Sequence, residues 1–110
     1  MVNPRLPEKM KPVRSVVEGC AVRFEWERVV SDEEIILSYQ VKLRGKSGRL
    51  YLLKDCGQDP LTPNCTISFA TLTKEPFLLH PGDYISDRVT VQAINFVGVG
   101  EASEFNAASL

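Results

Sequence analysis

The sequence predicts an all-β domain, a seven-stranded antiparallel sandwich. Three observations predict it. Apolar residues recur at every second position in several short runs, the period of a strand with one buried face. Clusters of Gly, Pro, Asn and Asp separate those runs as turns. No stretch longer than a turn or two carries the 3.6-residue period of an amphipathic helix.

The elements follow in order. The first twelve residues hold Pro4, Pro7 and Pro12. Proline biases a chain toward polyproline II, so this segment reads as an extended lead-in or interdomain linker, with the domain itself over residues 13–108. Val13 to Val17 form a weak first strand. In Cys20 to Glu27, Cys20, Val22, Phe24 and Trp26 share one face, and Ala21, Arg23, Glu25 and Glu27 share the other. That is a half-buried strand, with Cys20 expected to face the core. From Leu37 to Arg44, the apolar set is Leu37, Tyr39, Val41 and Leu43. The run Gly45 to Gly48 is a turn signal, and Arg49 to Leu53 a short strand. Cys65, Ile67 and Phe69 line one side of the next strand. Phe69 to Phe77 is the best place for a helical turn, capped by Thr71 or Thr73 and stopped by Pro76. Val89, Val91 and Ala93 point inward from the strand ending at Asn95. Asn95 is placed to bond the turn that follows, and Gly98 and Gly100 supply the positive φ of a hairpin. Ser103 to Ala107 form the last strand.

Assembled, these runs resemble a fibronectin type III domain. Trp26 stands on the second strand and Tyr39 at the start of the third. The tail, LHPGDY followed by RVTVQAINFVGVGEAS, is similar to the family's Leu, Pro-Gly turn, V-x-V-x-A-x-N strand, G-x-G and Ser. The likeness spans residues 13 to 107 and implies an immunoglobulin-like sandwich. The family's corner tyrosine falls six residues before the strand alanine, and here that position is Asp87. A strand two residues longer, bulged near Asp87, would restore the alternation, with Tyr84 the candidate for the corner bond. Cys56 and Cys65 resemble the cysteine pair of type III-like modules in surface proteins of ciliates and other unicellular eukaryotes. Those modules continue with PF-x-L-x-x-GD, and this chain with PFLLHPGD. The resemblance implies a Cys56–Cys65 disulfide that ties down the loop GQDPLTPN. The alternative is two free thiols in a cytosolic protein.

The residues offer little chemistry. Net charge is −1, without the basic footprint of a nucleic-acid binder. No apolar run approaches the ~18 residues of a membrane span, so no direct membrane insertion is expected. No apolar leader is visible at the N-terminus, and the chain reads as an excised or processed piece of a parent protein. His80, the only histidine, lies in a turn, and no Ser-His-Asp set can be built around it. Neither Cys56 nor Cys65 belongs to a C-x-x-C pair and no His lies near, so no metal is expected. Asp55, Asp59, Asp83 and Asp87 match no calcium-loop spacing. The acidic run Asp32 to Glu34 reads as a solvated loop. No cofactor is expected, and the chain is expected not to be an enzyme.

Two features point outward. Asn64-Cys65-Thr66 is an N-glycosylation sequon, with Asn64 the acceptor. Phe96 and Val97 occupy the tip of the last hairpin, where an exposed aromatic beside an aliphatic can anchor a partner. The expected function is therefore a non-catalytic structural or adhesive module of an extracellular or cell-surface protein. Its partners would be neighbouring modules or another protein, with self-association through an edge strand open. The alternatives are an accessory module of a secreted hydrolase, a free-standing binding protein using residues 31–36 and 96–99, or a fibre subunit joined through an edge strand.

Overall fold

The computed structural model describes residues 5–29, 35–80, 83–85 and 87–106. Six strands form two three-stranded antiparallel sheets. In chain order they are β1 (Arg14–Glu18), β2 (Ala21–Glu25), β3 (Ser38–Arg44), β4 (Leu50–Leu52), β5 (Asn64–Ser68) and β6 (Val89–Ile94), with a single helical turn, α1 (Phe69–Leu72), after β5. One sheet has the order β1-β2-β5 and the other β4-β3-β6. Val22 and Phe24 from the first sheet meet Val41, Leu43, Val89, Val91 and Ala93 from the second in one buried cluster.

The alternation in the sequence decides which face goes inward. Val22 pairs with Ile67 and Phe24 with Cys65, so all four share the inner face of the first sheet. Arg23 and Glu25 pair with Thr66 and Asn64 on the outer face. Across the second sheet, Tyr39 pairs with Ala93, Val41 with Val91 and Leu43 with Val89. Directly opposed residues of an antiparallel pair lie on the same face, so a one-residue slip would turn an apolar set outward.

In the fold itself the structure corrects the expectations at six places. Six strands are present among the described residues rather than seven, because residues 103–106 form no strand. That segment still lies against β6: Gly100 N–H donates to Ala93 O (2.9 Å) and Ser103 N–H to Val91 O (2.9 Å). The Ser103 hydroxyl accepts from Val91 N–H (3.0 Å), so a side chain stands in for part of a ladder. Cys20 is exposed, because the chain reverses at Gly19 (φ 58°) and β2 starts only at Ala21. Leu37 is 40% exposed, because β3 begins one residue later at the sheet's end. The cap of α1 is Ser68, whose hydroxyl accepts from Thr71 N–H, not Thr71 or Thr73. No longer bulged strand forms at Asp87. A turn in which Arg88 N–H donates to Ile85 O (3.0 Å) takes up the extra residues before β6.

The sixth correction concerns the corner. Tyr84 is 69% exposed. Arg88 fastens that end of the sandwich in its place. Its guanidinium donates to the carbonyls of Tyr84 (2.7 Å), Gly45 (3.1 Å) and Arg44 (3.3 Å). Arg44 returns a bond to Asp87 O (3.0 Å) and lies 4.6 Å from the centroid of the Phe105 ring.

The N-terminal segment contributes to the core. Pro7 is buried, and Met10 and Val13 join the apolar cluster. The segment runs beside residues 100–106. Asn106 Nδ2 donates to Val13 O (3.2 Å), and Lys9 forms an ion pair with Glu104. That pairing raises the Lys9 pKa and lowers that of Glu104, in each case chiefly through the hydrogen bond between them.

Candidate functional site

One end of the sandwich gathers the candidate residues. β2 runs out there just before Trp26, β3 begins there, and β6 ends there at Ile94. The loop between β4 and β5 closes over the same end. Trp26 N–H donates to Pro63 O (3.0 Å), and Tyr39 N–H to Gly57 O (2.7 Å). The Trp26 and Tyr39 rings meet edge to face at 5.7 Å. The two aromatics thus lie side by side under the loop.

That loop is closed by the Cys56–Cys65 disulfide, with Cα atoms 5.5 Å apart. Cys65 comes from the inner face of β5. Cys56 follows β4 and is buried, in a turn where its N–H donates to Leu53 O (3.0 Å). The bridge therefore joins the two sheets. Gly57 beside it has φ 80°, and a Cβ there would lie 2.5 Å from Tyr39 O. Only glycine meets both demands. Within the loop, Asp59 holds its own turn. Its carboxylate accepts from Leu61 N–H (2.9 Å) and from the Thr62 hydroxyl (3.1 Å).

The hairpin after β6 is built around Asn95. Its Oδ1 accepts from Val97 N–H (2.9 Å) and Gly98 N–H (3.2 Å). Its Nδ2 donates to Arg5 O (2.8 Å). One buried amide thus shapes the turn and pins the N-terminal segment to it. Gly98 has φ 155° and faces Leu6; Gly100 has no positive φ, contrary to the expectation. Gly100 serves close approach instead, because a Cβ there would lie 2.5 Å from Pro7 O. The result is a fixed tip from which Phe96 projects, 79% exposed, with Val97 at 48%. Leu6, facing Gly98, and Val99 in the same hairpin add exposed apolar surface near it.

The other candidates lie apart. His80 is exposed in its turn, where its N–H donates to Asp83 Oδ2 (2.8 Å). The other oxygen of Asp83 accepts from Lys46 Nζ (2.8 Å). The Lys46 bond first, and the His80 bond second, hold the Asp83 carboxyl below the usual carboxylate range. Asp59 and Asp83 are committed to these turns, and among the described residues no three His, Cys, Asp or Glu side chains are grouped to hold a metal. Asn64 is exposed at the start of β5. Residues 31–34, with the acidic run, lie outside the described residues; Ile35 is exposed and Ile36 half-buried.

Sequence reasoning named the cysteine pair that the structure bridges. It missed Arg88, the Asn95–Arg5 bond and Pro7 against Gly100. A signal existed for the last: a second glycine that the turn itself does not need.

No family model matches the chain, and no curated protein does. Among solved structures it is similar to the sixth fibronectin type III domain of human fibronectin type III domain containing protein 3. The two share 19% identity at a TM-score of 0.60, over 94% of this chain and 84% of that one. With two antiparallel sheets in the orders β1-β2-β5 and β4-β3-β6 around one core, the chain has the fold of a fibronectin type III domain.

Proposed function

We propose that this chain is a non-catalytic module of an extracellular or cell-surface protein, and that it contacts another protein through the tip of its last hairpin. The carrying observation is Phe96, an aromatic ring 79% exposed on a turn whose backbone Asn95 fixes. A large apolar side chain left in water on a rigid support loses little conformational freedom on binding and gains by burial. Val97 beside it and Leu6, which faces Gly98, are apolar and exposed, in position to keep water from such an anchor. The Cys56–Cys65 bridge supports an oxidising setting.

Phe96→Ala tests the reading in the full chain. Wild-type protein retains a partner from the surface fraction of its native cells. The variant loses that partner while its thermal midpoint stays within a degree or two, as expected of an exposed site. Unchanged retention by Phe96→Ala would sink the proposal. The compartment is tested separately by the thiol count of protein from the native source, where three free thiols would exclude an oxidising one.

A further inference from the structure

We propose that Asn64 is an N-glycan acceptor whose occupancy is set by a contest with closure of the Cys56–Cys65 disulfide. This rests on the secretory setting inferred above. β5 is an edge strand, paired only with β2. Asn64 and Thr66, two residues apart, lie on its outer face and are both exposed. Amide and hydroxyl are therefore presented on one side, in the Asn-x-Thr spacing that the transferase reads. Among the described residues neither side chain has a hydrogen-bond partner to give up. Their cross-strand neighbours are occupied with each other: Arg23 pairs with Glu25 (2.6 Å) and with Glu18 (2.7 Å). Beside the sequon the outer face carries Arg23 and Glu25, so a sugar laid over it meets charged side chains.

The middle residue of the sequon creates the contest. Cys65 points to the opposite face, into the bridge. Once the bridge has closed and β5 has paired with β2, the acceptor backbone is held in a ladder from Asn64 to Ser68. A transferase that must grip an extended tripeptide can reach only one face of it. Transfer therefore precedes closure. In the step, Asn64 Nδ2 attacks the anomeric carbon of an oligosaccharide carried on a polyprenyl diphosphate. The C–N bond forms as the bond from that carbon to the diphosphate oxygen breaks. The diphosphate leaves with the electron pair, and Nδ2 gives one proton to a base of the transferase.

The test is secretion of the full chain from eukaryotic cells behind a standard leader, read by intact mass before and after peptide-N-glycosidase. The expected wild-type result is a mixture of glycosylated and bare chains. Asn64→Gln and Thr66→Val lose the glycan and keep the disulfide. Cys56→Ser opens the bridge and leaves Asn64-Cys65-Thr66 intact, so the glycosylated fraction rises. Dithiothreitol present during synthesis of the wild type does the same without a mutation. Where Cys56→Ser stays inside the cell, occupancy is read on the intracellular chain. A bare Asn64 in wild type, in Cys56→Ser and under dithiothreitol would overturn the acceptor site. A glycosylated fraction equal in all three would overturn the contest. Both readouts come from cells that supply the compartment, so they stand apart from the native-source thiol count on which the secretory reading depends.

Discussion

At Asn95 one side chain does three jobs, and its removal shows what a buried amide is worth here. Asn95→Ala strands Val97 and Gly98 N–H groups and frees the Arg5 carbonyl. The expected loss is about 3 kcal/mol, since three bonds are removed and each contributes about 1 kcal/mol net. Urea denaturation measures it, and Asn95→Asp should recover the two turn bonds but not the bond to Arg5. Asn95 was readable from sequence because its turn partners are two and three residues away. The Arg5 contact was not, because nothing local ties residue 5 to residue 95. Cys20 shows the opposite error. Strand parity put it inside, but parity holds only within a strand, and Gly19 turns the chain just before it.

Among the elements, the strands were the legible part. Their two-residue period is a property of consecutive residues, and the register follows once both apolar faces must coincide. What closes the sandwich was not legible, because side-chain bonds to distant backbone carry it. Ser103 and Arg88 are the examples. Ser103→Ala leaves the Val91 N–H buried without an acceptor and should cost about 1–3 kcal/mol, read by chemical denaturation. The turn holding Asp83 carries a pH dependence. Its carboxyl lies lower in the folded chain than in the unfolded one, so the unfolded state binds the proton more readily. The contribution is present above the ordinary carboxylate range and is lost as pH falls through the lowered value. Asp83→Asn should flatten the acid limb of the stability profile relative to wild type, with little change at neutral pH beyond loss of an exposed ion pair.

For the molecule as a whole, the disulfide is the one side-chain covalent cross-link among the described residues. It closes a separation of nine residues. Reducing it should lower unfolding free energy by ~2–3 kcal/mol in the chain-entropy picture, seen as a lower denaturant midpoint. The same protein offers an internal control. Folded and oxidised, it should react with a thiol reagent at the exposed Cys20 alone, and at Cys56 and Cys65 only after reduction. The N-terminal segment carries a different consequence. Pro7 lies by Gly100, Lys9 by Glu104 and Val13 by Asn106, so the two ends of the domain run side by side in the same direction. Tension drawing residue 5 and residue 106 apart would slide these contacts past one another, loading them together instead of peeling them singly. Under mechanical pull the strap would act as a shear clamp.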